Sequence, residues 1–341
     1  MLYPPLHDRF VGLAASAILL LVSLVTAAPA GAEIRTITAT GEYRMGDNDT
    51  RTDAKRLALM DAKRLALEQA GTYLESVSEV KNLQVSRDEI RTYAAGIVEV
   101  KEQAANSKME GETTVVHVDV TVQIDTAVVA RQIDALRKNE HAKEELQQAC
   151  AEAERLKQEV EAKGRELAAL KSKAGAEPLL KEREQAFAKL DAQDLVVRAW
   201  RPIGARGGFG EGEPLPEQDR ASIKAMLKQA VFLDPTNAKA HLALGHLLQE
   251  EGNFKGAARE FREALRLKPD LARAHAGLGR ALLADGRRDD AVREFRMFLR
   301  VVKPTPANQR LIEKVQHKLQ ELEGSPNRPA GPRRKPREFD R

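Results

Sequence analysis

The sequence is poor in cysteine and in aromatic side chains. Its 341 residues include one cysteine, and 4% of them are Phe, Trp or Tyr. The single thiol, Cys150, excludes an internal disulfide and a cysteine-based zinc site, and leaves either an unpaired small residue or a link between two chains. Because 31% of the residues are charged, the composition favours helices with large solvated faces over a compact enzyme core.

Sequence motifs of catalysis and of metal binding are also missing. The chain has no H-E-x-x-H or G-x-S-x-G motif, and its glycine-rich stretch 204–212 is not followed by Lys-Ser or Lys-Thr, as a phosphate-binding loop would be. We therefore interpret that stretch as a linker. The sequence predicts a protein that is not an enzyme and that uses no cofactor and no metal.

Three carboxylates, Asp47, Asp49 and Asp53, have the spacing of calcium ligands. The sixth and twelfth positions of such a loop would require glycine and a carboxylate, but here they are Thr52 and Ala58. A turn followed by a helix N-cap is therefore the interpretation we prefer.

Excess positive charge is confined to the C-terminal tail. The formal net charge is +4, and residues 324–341 carry six basic and two acidic side chains, so the rest of the chain is formally neutral. The basic isoelectric point therefore does not indicate a nucleic-acid-binding fold. We expect a disordered tail, which either makes weak contact with an anionic surface or only adds solubility.

The N-terminal segment, residues 1–32, predicts export. Arg9 precedes an apolar run over 10–28, and Ala30-Gly31-Ala32 fits a signal-peptide cleavage site. The run is long enough that an uncleaved anchor in the inner membrane is the alternative. No cysteine follows the site, which excludes a lipid anchor at the new N-terminus. Either way, we expect the body of the protein in the periplasm or cell envelope.

Residues 33–126 predict an α+β domain. Alternating apolar residues over 37–43 and 116–124 indicate strands, and 97–100 suggests another. Between them, alanine recurs at every fourth position from Ala54 to Ala70, a row that lets a helix lie close on a sheet. Ser86 and Glu89 form a capping box for a short helix. We expect an antiparallel sheet with helices on one face.

Two stretches of this domain carry a family resemblance. MGDNDTRTDAKRLAL follows the first strand and AAGIVEV comes later, as residues 45–59 and 94–100. This order resembles the periplasmic N-terminal domain of flagellar assembly protein T and related envelope lipoproteins, although the lipid-attachment cysteine is missing. The resemblance implies an exported binding module with no known chemistry.

Residues 127–176 predict a long helix with a heptad repeat between 142 and 174. Its a and d positions are mostly apolar. They are Leu146, Ala153, Val160, Leu167 and Ala174 at a, and Ala142, Ala149, Leu156, Lys163 and Leu170 at d. One interpretation is a coiled-coil stalk that forms a homo-oligomer. The other is a single long helix that packs on its neighbours or folds into a hairpin. A second helix from Pro178 to about Trp200 and a Gly/Pro-rich linker complete residues 177–216.

The strongest pattern in the chain is a repeat of 34 residues. It begins at Ala238, and six pairs of residues are 34 apart. These pairs are His241 and His275, Leu244 and Leu278, Gly245 and Gly279, Gly252 and Gly286, Ala257 and Ala291, Phe261 and Phe295. Each unit predicts two helices, because a C′ glycine ends the first and an apolar stripe follows.

These residues resemble the tetratricopeptide repeat. Its Leu-Gly pair, small residue, aromatic residue and proline correspond to Leu244-Gly245, Ala257, Phe261 and Pro269, with histidine where tryptophan is usual. We assign residues 217–323 to the array, including a capping helix near its end. The resemblance implies an all-α solenoid whose first helices line a concave face.

The resemblance also implies which residues would contact a partner. Repeat positions 2, 5, 9 and 12 of the two units form the inner face. They are Lys239, Leu242, His246, Gln249, Arg273, Ala276, Arg280 and Leu283. Because three of them are cationic, we expect a protein or peptide partner with acidic and apolar residues. An ordinary solvated face is the alternative.

The function predicted from these features is that of an exported, non-catalytic adaptor or assembly factor of the cell envelope. It would hold partner segments in the concave face of the repeats. The alternative is a structural strut of an envelope complex, which would self-associate through the coiled coil.

Overall fold

A computed structural model of the chain describes residues 34–80, 99–127, 129, 131, 133, 140–170, 173–204 and 215–324. The predicted export segment, the short helix with its capping box, most of the glycine-rich linker and the basic tail after Gly324 lie outside these residues. No helix in the described part is both long and apolar enough to cross a membrane.

The N-terminal region contains a three-stranded antiparallel sheet. Its strands are β1 (Ile34–Arg44), β2 (Glu99–Glu110) and β3 (Thr113–Asp125), in the order β1-β3-β2. Alternate residues of β3 from Val116 to Ile124 are at most 5% exposed. They form the sheet side of an apolar core, as the alternation in the sequence predicted.

Helix α1 (Arg51–Val80) covers that face of the sheet. The five alanines of its repeated row, from Ala54 to Ala70, are all 0% exposed. With no side chain beyond Cβ on either partner, the helix backbone reaches the β1 backbone at Gly41. The Thr50 hydroxyl caps the helix by accepting from the Asp53 amide at 3.1 Å, so the N-cap is supplied by Thr50 and not by one of the three aspartates.

A helical hairpin follows, formed by α2 (Glu140–Ala169) and α3 (Lys173–Gly204). Four of the apolar heptad residues, Leu146, Leu156, Val160 and Leu167, are at most 5% exposed within this one chain, whereas Leu170 at the end of the pattern is 36% exposed. Of the two interpretations of the heptad pattern, the structure therefore has the hairpin. Helix α3 begins at Lys173 rather than at Pro178.

A buried ion cluster joins the hairpin to the turn before α1. The Arg183 guanidinium, 1% exposed, donates to Asp49 at 2.7 Å and to Asp53 at 3.0 Å. Asp49 also accepts from the Tyr43 hydroxyl, and burial together with this carboxylate raises the pKa of Tyr43 to about 12. Asp49 and Asp53 therefore form ion pairs with the guanidinium of Arg183.

The C-terminal region is an array of paired helices. They are α4 (Glu217–Leu233), α5 (Ala238–Glu250), α6 (Phe254–Leu267), α7 (Ala272–Ala284), α8 (Arg288–Val301) and α9 (Pro306–Gly324). Gly252 and Gly286 end α5 and α7 with φ of 75° and 79°, as expected of C′ glycines.

One apolar core runs through the array and into the hairpin. Phe261, Phe295 and Phe298 are at most 1% exposed, and Trp200 of α3 belongs to the same cluster. At the other end, Leu311 and Val315 of α9 cover the last pair of helices. The hairpin and α9 thus shield the ends of an array that would otherwise expose apolar surface.

Candidate partner-binding surface

The structure places three of the eight predicted contact residues inside the array. Leu242 is 2% exposed, Ala276 is 1% exposed and His246 is 6% exposed. His246 packs edge-on against the ring of Phe261, with centroids 5.0 Å apart. The prediction that these three side chains contact a partner is therefore corrected. They pack within the array, so almost none of their surface is accessible to a partner.

The other five residues retain some exposure. Arg280 is exposed, and Lys239, Gln249, Arg273 and Leu283 are partly exposed. We call these five residues the inner rim. Three cations in this set give it a positive formal charge, and a preference for acidic partners stays a prediction.

The start of the inner rim lies against the hairpin. Lys239 Nζ donates to Oε1 of Gln148 on α2 at 3.0 Å. Burial lowers the pKa of Lys239, and nearby Lys268 lowers it further, although Glu145 and Glu152 of α2 oppose the shift. Helix α2 also contacts α9 at the far end of the array. The concave side is thus partly covered by the chain's own helix, which the sequence did not predict.

Two histidines make the same contacts in successive repeats. His241 Nδ1 lies 2.8 Å from Glu260 and its Nε2 lies 3.3 Å from the carbonyl oxygen of Pro235. His275 repeats these contacts with Glu294 and Pro269, at 2.7 and 3.1 Å. A carboxylate and a carbonyl oxygen both accept, so each ring can donate both hydrogen bonds only as a doubly protonated imidazolium.

The electrostatics of these histidines agree with that geometry. Burial by itself lowers the pKa of His241, but hydrogen bonds to Glu260 and to the Pro235 carbonyl outweigh it, so the pKa is raised. The pKa of His275 is raised by the equivalent groups. Sequence analysis identified the histidines but missed their partners, although glutamate follows each of them by 19 residues in both repeats.

Within the described residues, no group of three or more His, Cys, Asp or Glu side chains is arranged to hold a metal ion. The paired histidines instead join the two helices of each repeat to the loop before them.

Comparison with protein families identifies the array. Tetratricopeptide repeat family models match residues 224–270 and residues 248–300. Helices α4 to α8 are therefore tetratricopeptide repeats, as the 34-residue period predicted. Neither match includes the N-terminal sheet, so its resemblance to flagellar assembly protein T stays a prediction. No curated protein matches the chain.

Several solved structures are similar over part of the chain. One is the type III secretion translocator chaperone SycD of Yersinia enterocolitica, at 16% identity and a TM-score of 0.30, covering 31% of this chain and 73% of that one. SycD in complex with a peptide of the translocator YopD has the same values, with 81% of that chain covered. The MamA protein has 20% identity and a TM-score of 0.27, covering 39% of this chain and 64% of that one. With TM-scores this low, we draw no functional inference from them.

Proposed function

We propose, on the premise that α4 to α8 are tetratricopeptide repeats, that the protein is a non-catalytic adaptor that binds other proteins. The repeats carry this proposal, because stacked helix pairs build an extended curved surface suited to holding another chain. The inner rim supports it further, since exposed Arg280 and partly exposed Leu283 offer a cation beside an apolar contact.

We further propose that this adaptor works in the cell envelope. The support is in the sequence, where an apolar run and an Ala30-Gly31-Ala32 site precede the first strand. Mass spectrometry of the N-terminus of the protein from its native cells tests this. We expect a mature chain that starts at residue 33, or an intact chain in the inner-membrane fraction. An intact chain in the cytosol contradicts the location and leaves protein binding open.

Burial of the heptad residues within the hairpin favours the adaptor over the strut. A strut needs an apolar seam that faces a second chain, but Leu156 and Val160 are 3% and 0% exposed within one chain. We therefore expect a monomer by light scattering of the full chain. A stable oligomer would instead support the strut.

Charge reversal at the inner rim tests the adaptor. Arg280→Glu replaces an exposed cation with an anion, so it should reduce retention of partners from an envelope extract by about tenfold. The matched control is Arg262→Glu, an exposed arginine on α6, the second helix of its repeat. We expect this control to behave as the wild type does.

The decisive readout is the set of proteins whose recovery differs between the two variants. Proteins that the wild type and Arg262→Glu retain, and that Arg280→Glu loses, are bound through the inner rim. If the wild type and both variants, each coupled to resin, retain no more protein from the extract than uncoupled resin does, the adaptor proposal is wrong.

A further inference from the structure

A second groove lies where the hairpin meets the first repeat, and it shares Lys239 with the inner rim. Its volume is about 560 Å³, and its walls come from α2, α3, the α4–α5 loop, the start of α5 and the end of α6. Ala151, Leu156 and Ala238 contribute apolar wall, and charged side chains surround them. We call it the junction groove.

Buried amide groups hold the walls of the junction groove together. Gln193 of α3, 1% exposed, donates to the carbonyl oxygen of Ala149 on α2 at 2.9 Å. Its own side-chain oxygen accepts from Asn237 at 3.1 Å, and Asn237 accepts from the Ala240 amide at the start of α5. Three helices are thus connected by side-chain amides, which makes the groove a preformed feature of the tertiary structure.

The charges lining the junction groove are not balanced. Four cations and two carboxylates line it, giving a net charge of +2. They are Arg155, Lys189, Lys239 and Lys268, and Glu152 and Asp234.

The carboxylates are largely engaged already. Glu152 accepts from Arg155 at 2.6 Å, and Asp234 accepts from the Thr236 amide and hydroxyl within its own turn. In the described part of the chain, neither Lys189 nor Lys268 has a carboxylate within ion-pair distance. Lys239 donates to the neutral amide of Gln148. Three lysines therefore line the groove, and Glu145 and Glu152 offset only part of their charge.

We propose that the junction groove binds an acidic segment of a partner protein, whose carboxylates pair with Lys189, Lys239 and Lys268. This inference rests on the adaptor function and adds a second contact, about which the repeats alone say nothing. Charge complementarity identifies the occupant, because a carboxylate-bearing chain relieves the mutual repulsion of Lys239 and Lys268. The apolar wall formed by Ala151 and Ala238 suits an apolar side chain between acidic ones.

The test uses the full-length protein and a fluorescein-labelled peptide that alternates glutamate with leucine. Fluorescence anisotropy at low ionic strength measures binding, and a peptide with glutamine for glutamate serves as the neutral probe. We expect the acidic peptide to bind, and the double variant Lys189→Gln/Lys268→Gln to weaken binding at least about tenfold. Both lysines are exposed, so the variant should fold normally. Added salt should weaken wild-type binding as well.

The matched control is Lys255→Gln. Lys255 is exposed at the N-terminal end of α6, about 20 Å along the same helix from Lys268. We expect Lys255→Gln to bind the peptide as the wild type does. Equal losses in the control and the double variant would show only a general charge effect and would overturn the proposal.

Two other outcomes separate this inference from the adaptor function. If the double variant binds normally and Arg280→Glu does not, the acidic peptide occupies the inner rim. The proposal for the junction groove is then wrong, but the adaptor function is not contradicted. If the wild type shows no binding of the acidic peptide up to millimolar concentration, the proposal for the junction groove is wrong. The adaptor function is then still tested by the retention of partners from an envelope extract.

Discussion

Helix α1 approaches strand β1 at Gly41, and helix α7 approaches helix α8 at Gly279, but the atoms across the two contacts differ. A Cβ at Gly41 would lie 2.1 Å from the Ala62 nitrogen and 2.3 Å from the Ala58 oxygen, both of them main-chain atoms. A Cβ at Gly279 would lie 2.5 Å from the Phe295 ring. A ring can rotate or shift, whereas the backbone of a regular helix yields much less.

The two regions also differ in their ion pairs. In the N-terminal region, the Arg183, Asp49 and Asp53 side chains are 1%, 6% and 10% exposed. In the repeats, the His241 side chain is 7% exposed, but its partner Glu260 is 26% exposed. An unpaired group is solvated more easily in the repeats, so we expect the same kind of change to cost more in the N-terminal region.

Replacing Arg183 should have the largest effect. Arg183→Met leaves Asp49 and Asp53 buried without a cation, which should lower the free energy of unfolding by about 3–5 kcal/mol. Urea unfolding followed by circular dichroism measures this. The control is Arg155→Met on the other hairpin helix. Because the Arg155 side chain is 59% exposed, this variant should lower the free energy of unfolding by less than about 1 kcal/mol. Similar costs for the two variants would remove the contrast between the regions.

The main-chain contact at Gly41 should rank second. Gly41→Ala forces α1 away from β1 and should cost about 3 kcal/mol in the same urea experiment. The control is Gly71→Ala in the same helix, where an added Cβ meets nothing within 4 Å. Removing a helical glycine there should stabilise the protein by about 0.5–1 kcal/mol. A Gly41→Ala variant as stable as the wild type would show that the helix and sheet can separate without loss.

This close contact shows how far the sequence could predict the fold. The alanine row from Ala54 to Ala70 predicted a helix lying near a sheet, and the 34-residue period predicted the repeats. Both signals can be read from nearby residues, because equivalent positions of each period lie in the same structural environment. The Arg183 cluster had no such signal, since Arg183 is 134 residues from Asp49 and nothing in its neighbourhood marks it.

The candidate site was harder to predict for a related reason. Repeat position identified the face of each helix but not what covers it. Gln148 of α2 reaches Lys239 across 91 residues, and the heptad pattern fitted a self-associating stalk as well as a hairpin. A heptad pattern indicates that a helix buries one apolar face against another helix. It does not indicate whether that second helix belongs to the same chain. The inner rim and the junction groove both depend on the hairpin, because α2 contacts Lys239 and forms a wall of the groove.

The aromatic contact in the repeats should yield a smaller loss. Gly279→Ala pushes against the ring of Phe295, which is 1% exposed, and should cost about 2 kcal/mol. Because the obstacle is a side chain, Phe295→Leu in the same protein should remove part of that cost. A double-mutant cycle of unfolding free energies measures this coupling. Strictly additive effects would mean that the ring is not the obstacle.

The paired histidines should give the smallest effect, and that effect should depend on pH. Both folded-state pKa values are raised above the ordinary value of 6.5. Their stabilisation is therefore complete below the unfolded pKa and is lost as the pH rises through the folded pKa. His241→Gln/His275→Gln should destabilise the protein by about 1–2 kcal/mol near pH 5 and by much less near pH 9.

The pH profile distinguishes this contribution from loss of packing. A packing defect lowers stability equally at every pH, whereas loss of the imidazolium pairs lowers it only in the acidic range. His317→Gln is the control, because the His317 side chain is 75% exposed and should matter at neither pH. A double variant whose deficit stays constant between the two pH values would show that His241 and His275 act as neutral packing groups. In that case Glu260, which lies 2.8 Å from His241, and Glu294, which lies 2.7 Å from His275, would contribute nothing as ion-pair partners.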